Sequence, residues 1–428
     1  METFWDFFSF SNANVRYVTF GAILVTSSAA IVGCFTFLRK KALVGDAVAH
    51  SVLPGVCLGF ILSGVKDPLW IIIGAFVTGW LSLLLMDQII SKSRIKEDSA
   101  IAFILSTFFG LGILLLTWIQ KSGNAAQSGL DQFLFGKAAA LVGNDLIVFS
   151  FVAIALIVLV VLFFKEFQLL AFNKDFAQSM GLPVKFIEFI STSMTVLAVV
   201  AGIQAVGVVL MAAMLITPPA AARYWTNSLK KMLVLAAIFG GFSGLAGAYI
   251  SYLAPAMPTG PWIVVVVSFI AFFSFFFAPE KGIIPLARLQ KRNQQKITDE
   301  NILKGLYHLR EDEKHLKQTF TFSELLEKRP MQEDRFQKSI KRLAKKGLIK
   351  LDNRSLDLSD NGLILAKRVV KLHRLWELYL SEFLNKAPDQ VHDEAETIEH
   401  LITPELEKQL EERLNFPNKD PHDEDIPY

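Results

Sequence analysis

Hydrophobic residues in the first two-thirds of the chain form runs of about 20, separated by short segments rich in charge. A helix needs ~20 mostly apolar residues to cross a bilayer, so each run predicts a membrane-spanning helix. The predicted spans are residues 15–38, 46–64, 68–90, 98–118, 144–164, 186–203, 205–225, 229–253 and 260–279. The sixth and seventh form either two short spans or one long helix with a re-entrant break, so the pattern predicts eight or nine spans.

The pattern changes after residue 286, where charged residues replace the long apolar runs. Residues 287–296 form a basic segment, which favours contact with anionic membrane lipids. Residues 297–313 then predict a helix, residues 321–351 two helices about a turn, and residues 352–362 a short β-wing. This order is typical of a winged helix-turn-helix domain.

The second helix of that pair has a basic face. Its basic residues are Lys338, Lys341, Arg342, Lys345 and Lys346. In a cytosolic protein such a face favours DNA as the partner. Here the preceding spans tether the domain to a membrane, and the formal net charge is only +3, so nucleic acid is disfavoured as a partner.

The composition agrees with a membrane protein. Hydrophobic residues make up 52% of the chain and include 36 phenylalanines, which is too apolar for an ordinary soluble enzyme. Cys34 and Cys57 are the only cysteines, and both lie inside apolar runs. The sequence therefore offers neither a disulfide framework nor a cysteine metal site.

The positions of lysine and arginine predict the orientation of the spans. Basic residues follow the first, third, fifth and seventh spans: Arg39, Lys40, Lys41, Lys92, Arg94, Lys96, Lys165, Lys174, Lys185, Arg223, Lys230 and Lys231. The alternate connections contain only Lys66, Lys121 and Lys137. Because basic loops stay in the cytoplasm, the N-terminus is predicted to lie outside and everything after Gly282 inside.

Two polar residues stand at the start of the second apolar run. Asp46 and His50 are four positions apart, which places both on one face of a helix. A carboxylate oxygen and an imidazole nitrogen there can share one divalent cation. The spacing is equally compatible with Asp46 as a helix N-cap and His50 as a hydrogen-bonded interfacial residue, so the pattern alone leaves both interpretations open.

Four segments carry a resemblance to a known family. They are "LRKKALVGDAVAHSVLPGVCLGF", "FNKDFAQSMGLPV", "GVVLMAAMLITPPAAAR" and "PTGPWIVVVVSFIAFFSFFFAPEKG". Together they resemble, over residues 15–282, the membrane subunits of manganese, zinc and iron ABC importers. The resemblance implies an α-helical polytopic membrane protein of the type II ABC importer permease kind. It places Asp46 and His50 on the metal path of a permease dimer, where two such pairs would face each other. Mixed oxygen and nitrogen ligands suit Mn(II) or Fe(II) without excluding Zn(II).

The second of these segments predicts a short cytoplasmic helix that begins after Asn173 and ends before Gly181 and Pro183. By resemblance it is the coupling helix that docks on the ATPase subunit; an interfacial amphipathic helix is the alternative. The coupling residues implied are Asn173, Asp175, Phe176, Ala177, Gly181 and Leu182. No G-x-x-x-x-G-K-[ST] motif occurs in the sequence, so the chain is not predicted to be an enzyme and a separate subunit is expected to hydrolyse ATP.

The end of the chain carries a second candidate metal site. Acidic and imidazole side chains recur there at helical spacing: His373, Glu377, His392, Glu396, Glu399 and His400. Residues 298–427 resemble the diphtheria-toxin-repressor and manganese-repressor family, and these six positions match its metal ligands. The match is incomplete, because Asn301 and Lys304 stand where acidic ligands are expected. A weak regulatory metal site and a polar network within a dimer interface are both compatible with this.

The sequence thus predicts a permease domain (1–282), a basic linker (283–297), a winged-helix domain (298–360) and a helical dimerisation or metal-binding domain (361–428). The predicted function is import of Mn²⁺, or of Fe²⁺ or Zn²⁺, across the plasma membrane, with no tightly bound cofactor. The expected partners are a cytoplasmic ABC ATPase, an extracytoplasmic metal-binding lipoprotein and a second permease subunit, identical or different. The alternatives are a membrane-tethered, metal-responsive DNA-binding regulator, and an exporter or channel that needs no ATPase.

Overall fold

The computed structural model describes residues 2–64, 67–121, 141, 143–253, 257–313, 319–352, 355–384, 386 and 388–428. The chain divides into two compact units, residues 1–286 and residues 287–428. Each has a hydrophobic core of its own.

Helices are the only regular secondary structure among the described residues of the first unit. Its helices are α1 (Glu2–Phe8), α2 (Ala13–Leu38), α3 (Ala42–Ser51), α4 (Leu53–Ser63), α5 (Pro68–Lys92), α6 (Glu97–Lys121), α7 (Gly143–Leu162), α8 (Phe164–Phe172), α9 (Lys174–Ser179), α10 (Val184–Val206), α11 (Val208–Trp225), α12 (Leu229–Leu253) and α13 (Thr259–Phe277). Within the described residues, eight helical segments are long and apolar enough to cross a membrane. They are Ala13–Leu38, Leu43–Ser63, Leu69–Lys92, Glu97–Lys121, Gly143–Leu162, Val184–Gln204, Leu229–Leu253 and Thr259–Phe277. Large apolar side chains such as Phe151 and Phe269 point outward from them, as expected of a surface in contact with lipid, and the prediction of a multi-pass membrane region is confirmed.

The second predicted span is kinked rather than straight. α3 ends at Ser51 and α4 begins at Leu53. Pro54 lies in the first turn of α4, where it has no N–H to continue the hydrogen bonds of α3. The kink separates the segment that bears Asp46 and His50 from the rest of the span.

The residues of the sixth and seventh predicted spans form two helices, α10 and α11, which Gly207 alone separates. Gly207 lies between α10 and α11 with φ of +94°, a backbone conformation that favours glycine. α11 is not among the eight segments above. If α11 also crosses, the chain crosses nine times, which is the count that the basic loops require, and an outside N-terminus remains a prediction.

α2 lies at the centre of the first unit and packs against α7, α10, α11 and α12. The approach to α11 is very close, because a Cβ atom on Gly33 would lie 1.9 Å from the carbonyl oxygen of Leu215. Only glycine fits there without moving backbone. α11 in turn packs against α3, so the helix bearing Asp46 and His50 is held from the core of the unit.

The second unit has the winged-helix order that the sequence predicts. Its elements are α14 (Ile283–Asp312, which begins in the first unit), β1 (Phe320–Thr321), α15 (Phe322–Lys328), α16 (Glu333–Lys345), β2 (Ile349–Asp352), β3 (Ser355–Leu358), α17 (Asp360–Leu384), α18 (Pro388–Ile398) and α19 (Pro404–Arg413). The strands form an antiparallel sheet in the order β1-β3-β2, with Ile349 opposite Leu358 and Phe320 opposite Leu356. The two helices about a turn and the β-wing are confirmed.

Two details differ from the sequence prediction. The segment predicted as a basic linker, residues 283–297, is helical and continuous with the predicted helix after it. Residues His392 to His400 were expected on one helical face, but α18 ends at Ile398. Glu399 and His400 therefore lie in the turn that follows, where they meet α14 rather than continuing the face.

Candidate metal sites and coupling helix

Asp46 and His50 lie one turn apart on α3, with Asp46 Oδ1 3.6 Å from His50 Nε2. Between them, Ala47, Val48 and Ala49 are fully buried, whereas the Asp46 side chain is 41% exposed and that of His50 20%. The His50 Nδ1 atom is buried without a hydrogen-bond partner. The two polar groups therefore share one accessible edge of α3, the other exposed side chain described on this helix being Leu43.

The alternative role for Asp46, that of a helix cap, does not fit the structure. The N-cap position of α3 is Lys41, and no side chain caps this end. Asp46 lies in the second turn, beyond the free N–H groups that a cap would bind. Both Asp46 and His50 are thus left with polar atoms available to a ligand.

Close packing fixes the orientation of α3. A Cβ atom on Gly45 would come within 2.6 Å of the Leu215 side chain of α11. On the side that faces α5, a Cβ atom on Gly79 would lie 2.9 Å from Val52 Cγ1 and 3.4 Å from Val48 Cγ1. The helices therefore pack too closely there for a larger residue at position 79. Because α3 packs tightly against α11 and α5, the edge that bears Asp46 and His50 stays exposed.

The predicted coupling helix is α9, and its two ends are capped as the sequence suggests. Asn173 Oδ1 accepts hydrogen bonds from the N–H groups of Asp175 and Phe176, at 2.9 and 3.1 Å. At the other end Gly181 has φ of +78°. The N–H of Leu182 donates to Ala177 O, which completes a Schellman motif.

The outer surface of α9 and of its C-cap residue carries two large apolar side chains among polar ones. Ala177 is buried against the unit, while Phe176 and Met180 project outward with 47% and 63% of their surface exposed. Asp175, Gly181 and Leu182 lie at the two ends of this short helix. A small projecting helix with exposed apolar side chains is suited to insert into a groove on another protein.

Glu188 of α10 joins α9 to the membrane helices, a contact that the sequence did not indicate. One carboxylate oxygen lies 2.7 Å from Arg39 Nη2, just after α2, and the other lies 3.0 Å from Lys174 Nζ. Arg39 and Glu188 are 149 positions apart in the chain, whereas Lys174 is 14 positions from Glu188. Glu188 thus connects the start of α9 to the end of α2, close to the segment that leads into α3.

In the second unit, His373 and Glu377 of α17 meet His392 of α18. The three ligand atoms are His373 Nε2, Glu377 Oε1 and His392 Nδ1, and their mutual distances are 3.0, 3.1 and 2.9 Å. Ligands around one ion with bonds of about 2.1 Å lie roughly 3 Å apart. We call these three residues the open cluster, because they line a cavity of about 750 Å³.

The open cluster can hold either protons or a metal ion. When the ring nitrogens of His373 and His392 both carry a proton they donate to Glu377, and when they do not they present two lone pairs 3.1 Å apart beside the carboxylate. A cation among the three lone pairs would take the place of those protons. The residues present therefore fit a divalent metal ion with imidazole and carboxylate ligands.

The electrostatics of the open cluster favour an ionised carboxylate. Burial by itself raises the pKa of Glu377, but hydrogen bonds and positive charge from His373 and His392 outweigh it and lower the pKa to about 2. For His373, burial lowers the pKa, and the carboxylates of Glu377 and Glu399 more than compensate, so its pKa is raised. Glu377 is therefore ionised, and its carboxylate can bind a cation that replaces the ring protons.

The other three predicted ligands do not join this cluster. Glu396 forms an ion pair with Arg329. Glu399 lies 2.8 Å from Lys304 Nζ, and both side chains are fully buried. The two ring nitrogens of His400 contact Glu300 and Asn301 of α14. The sequence predicts no role for Glu300, although the adjacent residue, Asn301, stands at an expected ligand position.

A second group of metal-ligand types, His308, Glu311 and Glu424, is also close enough for one ion. It is occupied by Arg374, which is 1% exposed. The guanidinium donates to both oxygens of Glu311, at 3.1 and 2.7 Å, to Glu424, and to the carbonyl of Asp425 at 2.6 Å. Because Arg374 already supplies the positive charge, these carboxylates bind the C-terminal segment to α17 rather than a metal.

Replacing Arg374 with alanine should destabilise the second unit by about 3 kcal/mol, since it leaves the buried carboxylate of Asp420, 3.5 Å from Arg374 Nε, and the partly exposed Glu311 and Glu424 without their cation. A matched control is Lys408→Ala, which removes an exposed lysine 3.8 Å from Glu412 and should change stability by less than about 0.5 kcal/mol. Thermal unfolding and limited proteolysis near residues 419–428 are the measurements. Equal stability of the two variants would contradict this role of Arg374.

The sequence model described as "ABC 3 transport family" matches residues 11–278, which is more than half of the chain. The chain belongs to the ABC 3 transport family. A second sequence model, "Iron dependent repressor, metal binding and dimerisation domain", matches residues 359–428. The protein is therefore a multi-pass membrane permease of this family, a transporter rather than an enzyme, followed by a repressor-type domain that lies in the cytoplasm.

Some relatives resemble about nine-tenths of the chain, and others resemble a smaller share of it. The manganese transport system membrane protein MntC of Bacillus subtilis is 37% identical over 395 residues, which are 91% of this chain and 89% of MntC. The zinc transport system membrane protein TroC of Treponema pallidum is 40% identical over 234 residues, 55% of this chain and 78% of TroC. Among solved structures, PsaBC from Streptococcus pneumoniae in complex with Fab covers 66% of this chain and 99% of its own, with 34% identity and a TM-score of 0.60.

Proposed function

We propose that this chain imports a divalent transition metal ion, Mn²⁺ above Fe²⁺ and Zn²⁺, as the permease subunit of an ABC importer. The observation that carries the proposal is the pair of Asp46 and His50, which present an oxygen and a nitrogen ligand on one accessible edge of α3. The names of MntC and TroC, for manganese and zinc transport, support the class of substrate.

One chain supplies only two ligands on α3, which are too few to hold a transition metal firmly. A second permease subunit, identical or different, would contribute a matching pair across the dimer. A small set of ligands also favours transport, because an ion that is bound weakly can be released on the other side. An extracytoplasmic metal-binding lipoprotein would deliver the ion.

The energy for transport comes, in this proposal, from a separate cytoplasmic ATPase that docks on α9. The exposed Phe176 and Met180 would fill its groove. Movement of α9 would reach the membrane helices through Glu188, which contacts both Lys174 and Arg39. Arg39 lies shortly before α3 in the chain, so movement of Glu188 would act on the segment that leads to Asp46 and His50.

The repressor-type domain would sense metal in the cytoplasm. His373, Glu377 and His392 would hold the ion, and its binding would supply the charge that links α17 to α18. The ion would enter from the side of His392, whose side chain is 54% exposed, while Glu377 is buried. We propose a regulatory role for this ion and none in transport itself.

The alternative of a DNA-binding regulator is less well supported by the basic helix α16. Arg342 Nη2 and Lys346 Nζ lie 2.7 and 3.1 Å from Asp299 of α14, a carboxylate that is almost fully buried. Ser339 donates to the same carboxylate. Part of the predicted basic face thus serves to hold the winged helix together rather than to meet phosphates.

The proposal is tested by elemental analysis of cells that lack the gene. We expect manganese content to fall, with smaller changes in iron and zinc, and wild-type protein supplied in trans to restore it. Transcripts of metal-responsive genes should be measured in parallel. Unchanged metal contents together with altered transcripts would instead support the regulator.

A further inference from the structure

The second unit contains a lysine-centred cluster behind the open cluster. Lys304 of α14 and Glu399, after α18, are both fully buried, and Lys304 Nζ lies 3.1 and 2.8 Å from the two carboxylate oxygens. Burial of a charge is costly unless an opposite charge and hydrogen bonds accompany it. Here both oxygens of Glu399 are bound by one ammonium group.

The groups around this ion pair are those that usually bind transition metals. His400 Nε2 is 3.5 Å from Glu399 Oε1, and His400 Nδ1 is 2.7 Å from Glu300 Oε2. The amide oxygen of Asn301 completes the set, 3.1 Å from His400 Nε2. Carboxylates, an imidazole and an amide oxygen are hard donors of the kind that suit Mn(II) or Fe(II). Among these groups Glu399 is the one that binds the Lys304 ammonium, and His400 joins Glu399 to Glu300 and Asn301. The cation at Glu399 is thus a side chain of the protein.

His373 connects the two clusters. Its Nε2 atom belongs to the open cluster, and its Nδ1 atom lies 2.5 Å from Glu399 Oε2. A carboxylate on the far nitrogen of a metal-binding histidine fixes the orientation of the ring and raises the basicity of the ligand. Glu399 lies beside the far nitrogen of His373, and its charge is balanced by Lys304.

We propose that the Lys304 ammonium takes the place of a second metal ion in this domain, so that one ion binds per chain, at the open cluster. The single ion at the open cluster is the regulatory ion of the proposed function, and the inference rests on that proposal. The contact of α14 with the turn after α18 is then permanent and independent of metal. Only the contact of α17 with α18 remains for metal to control.

The test counts Mn(II) ions bound by the full-length protein in detergent. Every sample also carries Asp46→Ala and His50→Ala, so that the proposed transport path adds nothing to the count. In this background, Lys304→Glu replaces the ammonium with a carboxylate, and we expect one additional ion per chain. Lys304→Arg retains a cation, and Lys408→Glu makes the same change at an exposed lysine of α19, so neither should gain an ion.

A folded Lys304→Glu variant with the count of its parent would overturn the inference. Two ions in the repressor-type domain of the parent protein would also overturn it, because the Lys304 ammonium would then not have replaced a metal ion. His392→Ala separately tests the proposed regulatory ion, since it should lose one ion. If His392→Ala loses none while Lys304→Glu gains one, the regulatory proposal fails and the role of Lys304 stands.

Amide hydrogen exchange of the parent protein provides a measurement that does not depend on the folding of any Lys304 variant. Adding Mn(II) should slow exchange in α17 and α18 around the open cluster. Exchange in the turn of α14 that contains Lys304 should remain unchanged, because its cation is always present. Slower exchange at residues 300–304 with Mn(II) would show that a metal ion binds there and would overturn the inference.

Discussion

Cells whose only copy of the protein carries Asp46→Ala or His50→Ala are expected to accumulate no more manganese than cells without the protein. Each change removes half of the ligands that one chain offers, and the remaining group has no second partner on α3. Membrane insertion should be unaffected, because removing a polar group lowers the cost of placing the helix in the bilayer. Accumulation of manganese by elemental analysis and the amount of protein in the membrane fraction are the two measurements.

Asp98→Ala is the matched control for this experiment. Asp98 is an exposed carboxylate in the first turn of α6, so its loss removes the same charge without touching the proposed path. Its uptake should equal that of wild type. Normal uptake by both the Asp46 and the His50 variants would exclude these residues from the path and leave the substrate site to be found elsewhere.

The second large effect is expected at the exposed surface of α9. Phe176→Asp should abolish uptake and prevent the ATPase subunit from co-purifying with the permease. An aromatic anchor at the centre of an interface often contributes 2 kcal/mol or more, roughly a 30-fold change in affinity. A carboxylate in its place would also have to be buried without a partner. The helix itself should persist, since Asn173 and Gly181 still cap it.

Phe416→Asp makes the same change at an exposed phenylalanine of the second unit, and the ATPase should remain bound in that variant. Metal accumulation and the recovery of the ATPase with tagged permease are measured side by side. Full recovery of the ATPase with Phe176→Asp would show that α9 is not the docking helix. Recovery of the ATPase without uptake would instead place Phe176 in transmission rather than in docking.

Local features of the sequence predicted most of the elements correctly. Spans follow from the length of apolar runs, because the bilayer imposes a fixed thickness. The ends of α9 follow from Asn173 and Gly181, because a side chain that caps a helix acts within three or four residues. The pairing of Asp46 with His50 follows from the period of the helix. Each of these depends only on neighbours along the chain.

The kink before Pro54 and the end of α18 at Ile398 show where local reasoning was incomplete. The sequence predicted one helical face from His392 to His400, but the helix does not extend that far. After Ile398 the backbone leaves the helix, so Glu399 can reach Lys304 and His400 can reach Glu300. Spacing identified the correct residue types, whereas the end of one helix decided which of them could meet.

By itself, the sequence determined a membrane region with a helical polar domain after it, the candidate pair on α3, and the absence of an ATP-binding loop. Only the tertiary structure decided that three of the six predicted ligands in the last domain gather at the open cluster, while Glu399 is held by Lys304. It also revealed Glu188 between Arg39 and Lys174. Contacts between residues about 100 positions apart depend on how helices pack, and the periodicity within one helix carries no information about its neighbours.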